Sequence, residues 1–201
     1  MPDPYLRFPV NLKRTEHLVS LRHPVRILVV GPAIEGSEGV EDRHPHLAQA
    51  LRQRLRGVPL EILDGWHGMH VVEEDFDRLR SEVAETHPDL ILWQVGTPDA
   101  LASSDPGEFG EVLTRAAQWA KHEGIDFVVI DPPYVPHVPH EPLYGKIVLA
   151  ISTASDGARI NLFRRYAAMQ YLERMSVKPA GPRPPCMSEL LAEAIVRAAT
   201  R

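Results

Sequence analysis

The stretch DLILWQVGTPDAL (89–101) joins a nearly unbroken apolar run to a loop that contains a glycine. Its first seven residues do not alternate between apolar and polar, which is typical of a strand buried on both faces of a parallel sheet. Four further short runs have the same character. They are VRILVV (25–30), PLEILD (59–64), DFVVID (126–131) and ARINLF (158–163). The sequence therefore predicts a sheet of five parallel strands.

Longer amphipathic segments separate these runs, and their periodicity indicates helices. They lie at 44–56, 71–86, 107–123, 142–155, 164–175 and 187–200. This alternation predicts an α/β protein, a three-layer α/β/α sandwich with right-handed crossovers. The loops after the carboxyl ends of the strands then meet along one edge of the sheet, where ligands bind. We call this edge the rim, and its predicted loops are 31–39, 64–70, 96–107 and 131–142.

The length of 201 residues suits one globular domain over 25–201, preceded by an N-terminal arm over 1–24. Four prolines in the arm predict that it is extended. The net charge of −5 provides no broad positive surface, so neither nucleic acid nor a membrane is expected as a partner. No stretch is apolar enough for a signal peptide or a membrane span, and the single cysteine fits a reducing compartment. We therefore expect a cytoplasmic protein.

The segment WQVGTPDAL (93–101) resembles the block of the SGNH/GDSL hydrolase family that usually reads Gly-Thr-Asn-Asp. Residues 31–35 then lie where that family has its Gly-Asp-Ser turn, and Gly65 matches the glycine after the second strand. The family's last block, Asp-x-x-His, falls on residues 183–186. The resemblance implies a flavodoxin-like SGNH hydrolase fold over about residues 25–198.

The resemblance also implies acyl transfer, in which a serine attacks an ester carbonyl with help from a histidine and an aspartate, and nearby N–H groups stabilise the oxyanion. The family's functional positions fall here on Ala33, Gly65, Pro98, Arg183 and Cys186. Alanine is no nucleophile and proline has no N–H to donate, so only the glycine is retained. We therefore expect that serine-esterase activity has been lost. The alternative is a misaligned nucleophile at Ser37 or Ser188, which would leave a residual esterase or acyltransferase.

The rim still has groups that can hold a small molecule. The amides of Ala33 and Gly65 can donate to a carboxylate, phosphate or carbonyl oxygen, unless the glycines only serve tight turns. The expected pocket is lined by Ala33, Glu35, Gly65, His67, Asp99, Tyr134 and His137. Trp66 and Tyr134 can either stack a ligand or cover the core. Asp99 and Asp131 also have a structural alternative, which is to cap loops or helices.

Six of the ten histidines lie in the predicted rim loops or shortly after one, at positions 44, 46, 67, 70, 137 and 140. Candidate ligands for a transition metal are His67, His70, His137 and His140, with Glu35, Asp64 or Asp99 as the carboxylate. Their spacing matches no established metal motif, so surface histidines are the alternative, as is a general acid or base at His67 or His137. Apart from such a metal, no cofactor is expected.

Two kinds of function follow from these residues. The first is a catalytically silent domain that binds a small molecule or a partner protein. The second is a repurposed enzyme that uses the histidine-rich rim, with or without a metal. In that second case Cys186 is either a new nucleophile or a small buried residue.

Overall fold

Five parallel strands form one sheet, in the order β2-β1-β3-β4-β5. The computed structural model describes residues 3–31, 44–66, 68, 70–135, 141–176 and 186–200. The strands are β1 (Val25–Val30), β2 (Leu60–Asp64), β3 (Leu90–Gln94), β4 (Asp126–Ile130) and β5 (Asn161–Phe163). This order is flavodoxin-like, with the first strand between the second and the third. The predicted parallel sheet is confirmed.

Eight α-helices connect and cover the strands in the described part of the chain. They are α1 (Lys13–Ser20), α2 (Pro45–Arg54), α3 (Val72–Thr86), α4 (Thr97–Ala102), α5 (Pro106–His122), α6 (Glu141–Ala158), α7 (Arg165–Ser176) and α8 (Met187–Ala199). Buried residues of α2 and α8 pack on one face of the sheet, and those of α3, α5 and α6 pack on the other. The three-layer α/β/α architecture is therefore confirmed. None of the described helices is both long and apolar enough to cross a bilayer.

The central strands are buried on both faces, as their continuous apolar runs predict. In β3, Leu90 and Leu92 belong to the core under α8, whereas Ile91 and Trp93 belong to the core under α5. All four side chains are fully buried. Because side chains alternate across a strand, a run without polar residues supplies both cores at once.

Two boundaries differ from the sequence prediction. The fifth strand begins at Asn161, not at 158, because α6 continues through Ala158 and the amide of Ile160 donates to the carbonyl of Ser155 at 2.8 Å. Arg159 adopts a left-handed conformation with φ of 54° at this helix end. In addition, part of the predicted loop 96–107 forms the short helix α4.

The prediction of an extended N-terminal arm is wrong. Asp3–Tyr5 form a 3-10 turn and Lys13–Ser20 form α1. No proline falls within α1, so nothing prevents a helix there. The carboxylate of Asp126, at the start of β4, accepts a hydrogen bond from the amide of Thr15 at 2.8 Å. A carboxylate at a helix N-terminus satisfies an amide that has no partner within the helix.

The arm also belongs to the core of the domain. Leu6, Phe8 and Leu12 are buried in the same cluster as residues of α8, and the amide of Leu12 donates to the carbonyl of Ala198 at 3.1 Å. Arg14 pairs with the buried Asp89 at 2.6 Å. The arm therefore completes one layer of the sandwich and is held by both apolar and polar contacts.

We expect Phe8→Ala to lower the free energy of unfolding by about 3–5 kcal/mol, because the ring is only 2% exposed and its removal leaves a cavity. The control is Leu21→Ala at the end of α1, where the side chain is 50% exposed and the loss should stay below about 0.5 kcal/mol. Urea denaturation measures both. Equal effects of the two substitutions would contradict the packing of the arm.

Candidate functional site

Gly31 brings the end of β1 against β3 at the rim. A Cβ at this position would lie 2.7 Å from the carbonyl oxygen of Gln94, and the backbone has φ of 100°. Its amide donates to the carbonyl of Trp66 at 3.1 Å, which ties the end of β1 to the loop after β2. Both the conformation and the close approach require glycine. At Gly31 a structural role is therefore sufficient.

The Gly65 amide has a structural role, which is one of the two alternatives that the sequence left open. It donates to the carbonyl of Val29 at 2.9 Å, so that pairing between β2 and β1 continues one residue past Asp64. A Cβ at Gly65 would also approach that carbonyl oxygen to 3.1 Å. The glycine thus allows two strands to lie close together, and its N–H is occupied. The next glycine, Gly68, lies against the imidazole ring of His70 with no room for a Cβ.

Pro98 follows β3, at the position where the sequence resemblance predicts the asparagine of the SGNH/GDSL hydrolases. It lies in the first turn of α4 and is buried. A proline is tolerated there because the first amides of a helix have no partner within the helix. The tertiary amide has no hydrogen, and the ring carries no polar group. The described rim therefore has no donor at this position.

Asp99 and Asp131 cap helices, as the structural alternative predicts. Asp99 is 1% exposed, and its Oδ1 accepts from the amide of Val72 in the first turn of α3 at 2.9 Å. Asp131 Oδ1 accepts from the amide of Tyr166 in the first turn of α7 at 2.9 Å. Burial raises the pKa of Asp99, and it raises the pKa of Asp131 to about 7. Each carboxyl group fixes a helix that begins beside the rim.

Arg165 joins the ends of β3 and β4 from beneath the rim. Its Nη1 donates to Gln94 Oε1 at 2.7 Å, and its Nε donates to the Asp131 carbonyl at 3.0 Å. Arg165, Gln94 and Asp131 are at most 5% exposed. Burial lowers the pKa of Arg165 to about 10, so the guanidinium stays charged at pH 7. We call these three residues the arginine knot.

Three tyrosines lie beside the knot at the β4 end of the rim. The rings of Tyr134 and Tyr166 meet edge to face with centroids 5.2 Å apart, and Tyr144 is 6.1 Å from Tyr166. The Tyr144 hydroxyl donates to the carbonyl of Pro133 at 2.6 Å. Tyr134 and Tyr166 are half-buried, so their surfaces can contact both the protein and a ligand.

A second polar group lies between β2 and α3. Trp66 Nε1 donates to Asp75 Oδ1 at 2.8 Å, and His70 Nδ1 lies 3.3 Å from Glu74 Oε2. Burial raises the pKa of Asp75 to about 6, and the hydrogen bond from Trp66 opposes the shift. The tryptophan thus holds the loop after β2 onto α3, which is a structural use of its polar edge.

Comparison with known proteins adds to this geometry. A family model described as the non-GDSL lipase-like family matches residues 1–201. The chain belongs to the non-GDSL lipase-like family. No curated protein matches the chain.

Solved structures of SGNH/GDSL esterases share the family's fold. A catalytic mutant of an acetylxylan esterase from Geobacillus stearothermophilus has a TM-score of 0.65 at 13% identity, over 87% of this chain and 94% of that one. A protein of Parabacteroides merdae described as a GDSL-like lipase gives 0.67 at 12% identity, over 87% and 95%. TesA gives 0.60 at 20% identity, over 84% and 94%. At these identities the similarity establishes a common fold.

Several predicted site residues lie outside the described part of this family member. They are Ala33, Glu35, Ser37, His67, His137, His140 and Arg183. Of the candidate metal ligands, His70, Asp64 and Asp99 are described, and no group of three or more His, Cys, Asp or Glu residues able to hold a metal occurs among the described residues. His44 is buried with Nε2 3.3 Å from Asp64 Oδ1, and His46 is exposed on α2.

Two candidate nucleophiles occur at the start of α8. Cys186 is the N-cap, and its amide donates to Glu189 Oε2 at 3.3 Å. Ser188 is 3% exposed in the first turn of the helix. Cys186 therefore begins the helix, and the burial of Ser188 separates its hydroxyl from a substrate that enters from solvent.

The sequence analysis missed the arginine knot. A signal was present, because Gln94 is a polar residue within the otherwise apolar run of β3 and two arginines follow directly after β5. A polar side chain in a strand buried on both faces needs a hydrogen-bond partner. What the sequence could not indicate is which of the two arginines turns inward.

We expect Arg165→Met to lower the free energy of unfolding by about 2–5 kcal/mol, because it leaves two buried acceptors, at Gln94 and Asp131, without their donor. The control is Arg164→Met on the next residue. Arg164 pairs with Asp156 at 3.0 Å near the surface, where such a pair contributes below about 1 kcal/mol. Guanidinium denaturation compares them. A smaller loss for Arg165→Met than for Arg164→Met would contradict the assignment.

Proposed function

We propose that this member of the non-GDSL lipase-like family lacks serine-esterase activity and binds a small organic molecule at the rim. Pro98 carries the proposal, because it puts a residue without any donor where an esterase of this fold needs one. The Gly65 amide supports it further, since that N–H already donates to Val29. In the sequence, the position of the nucleophile is Ala33.

The size of these losses argues against slow esterase chemistry by the usual route. Removal of one oxyanion donor costs on the order of 10²–10³ in rate. A site without its nucleophile retains only the roughly 10³–10⁴ over water that binding and the remaining donors provide. Without two oxyanion donors and the serine, little of this residual rate enhancement remains. The rim can then bind a molecule but cannot hydrolyse it by this route.

The tyrosine pair indicates the kind of molecule that suits the rim. Tyr134 and Tyr166 form an aromatic wall beside the end of β4, and such walls pack against sugar rings and acyl groups. The structural neighbours include an acetyl-xylooligosaccharide esterase, so acylated sugars are the first ligands to test. A protein without the nucleophile would hold such a molecule intact.

We expect no hydrolysis of p-nitrophenyl acetate by the purified protein above the rate of a Ser37→Ala/Ser188→Ala variant. Intact-mass spectrometry after treatment with a fluorophosphonate should show no adduct, while an active GDSL esterase treated in parallel becomes labelled. Serine labelling requires a base that activates the hydroxyl. A fluorophosphonate adduct on Ser37 or Ser188 would show that an esterase site has survived.

We expect acetylated xylobiose to bind without turnover, as measured by saturation-transfer NMR. Tyr134→Ala should weaken binding by about tenfold, because a buried aromatic contact contributes about 0.5–1.5 kcal/mol beyond its area. The control is Tyr171→Ala, whose ring contacts Tyr5 of the arm at 5.7 Å. Binding that Tyr134→Ala leaves unchanged would move the ligand away from the tyrosine wall.

A further inference from the structure

A second cleft lies at the opposite end of the sheet from the rim. It has a volume of about 610 Å³ and is lined by the first residues of β4 and β5, the start of α1, and the ends of α5 and α6. Because β4 has five residues, its start lies about 13 Å from its carboxyl end at the rim. We call it the basal cleft. Its size is within the range of small-molecule sites.

The basal cleft is positively charged although the protein as a whole is acidic. Lys13, Arg14, Lys121 and Arg159 line it, and Asp126 is its acidic lining residue. Two of these charges are already used. Asp126 accepts from the Thr15 amide, and Arg14 Nε pairs with Asp89.

The other three cations have no acidic partner in the part of the chain that the structure describes. Within the described residues, Lys13, Lys121 and Arg159 form no ion pair, and each is exposed. They come from three different helices or helix ends, α1, α5 and α6. Like charges brought together from separate elements repel one another, and an anion between them removes that repulsion.

The opposite wall of the basal cleft is apolar. Phe127 and Ile160 are buried, and Val10 of the arm lies beside them. Asn161 Oδ1 accepts from the amide of Val10 at 3.1 Å, so the group that Asn161 can offer a ligand is its donor Nδ2. A ligand that fits both walls has an anionic head and an apolar body.

Arg159 is the cationic residue of the cleft that is best suited to a test by substitution. It ends α6 with φ of 54°, a conformation that favours glycine, yet the position holds a long cation that lines the cleft. The same strain occurs at Arg22, which is exposed and does not line the cleft. The two arginines therefore form a matched pair for experiment.

We propose that the basal cleft binds an organic phosphate with an aromatic or apolar body, separately from the rim. Lys13, Lys121 and Arg159 surround the phosphate, and the body packs on Phe127 and Ile160. Because residues of the arm form one wall, bound ligand also holds the arm against the sheet. This site involves neither Pro98 nor the tyrosine wall, and it stands whether or not the rim binds a ligand.

The test measures the binding of 1-naphthyl phosphate to the full chain by isothermal titration calorimetry. We expect it to bind at least about tenfold more tightly than either 1-naphthol or inorganic phosphate, and more weakly as salt is raised. Equal binding of naphthol and naphthyl phosphate would overturn the proposal, as would the absence of saturable binding by naphthyl phosphate.

Two pairs of variants then locate the site. Arg159→Gly should weaken binding of naphthyl phosphate about tenfold while leaving the thermal midpoint equal or higher, because glycine relieves the backbone strain. Arg22→Gly should raise the midpoint similarly and leave binding unchanged. Lys121→Met should weaken binding, whereas Lys146→Met, outside the cleft, should not. Unchanged binding in both Arg159→Gly and Lys121→Met would overturn the proposal. An equal loss of binding in the controls, Arg22→Gly and Lys146→Met, would also overturn it.

Discussion

The arginine knot fixes the geometry on which the rim depends. Three strands that are consecutive in the sheet end within reach of one buried guanidinium: Gln94 closes β3, Asp131 follows β4, and Arg165 follows β5. A charged group this deeply buried is stable only when its donors are satisfied, so the three strand ends have little freedom to move apart. The helix caps at Asp99 and Asp131 extend this control to α3 and α7. The rim is thus held by polar groups whose hydrogen bonds are mostly used within the protein, so that few remain to contact a substrate.

The proposed loss of serine-esterase activity is compatible with the retained fold for a simple physical reason. Packing of the sheet depends on apolar strands such as β3, whereas acyl transfer depends on a few polar atoms at strand ends. Proline is favourable in the first turn of α4, because the first amides of a helix have no partner within it. The same residue cannot stabilise an oxyanion, because it has no N–H to donate. Substitution at the rim therefore leaves the core intact.

Most of the architecture could be predicted from the sequence, because parallel strands buried on both faces are continuous apolar runs and the helices between them are amphipathic. The arm could not. Its helix is capped by Asp126, a residue 111 positions away from Thr15, and no local pattern reveals such a contact. The sequence left two roles open for the Gly65 amide for a related reason, since only the register of β2 on β1 shows that this amide donates to Val29. The arginine knot likewise depends on a pairing 71 residues apart.

The contacts between the arm and α8 affect the order in which the parts of the molecule can fold. Asp3 pairs with Arg197 at 2.9 Å, and Leu12 bonds to Ala198, so the arm contacts a helix that is synthesised much later than the arm itself. Until α8 leaves the ribosome, Leu6, Phe8 and Leu12 lack part of their apolar surroundings. A nascent chain of this protein therefore exposes the apolar side chains of the arm until α8 has been synthesised.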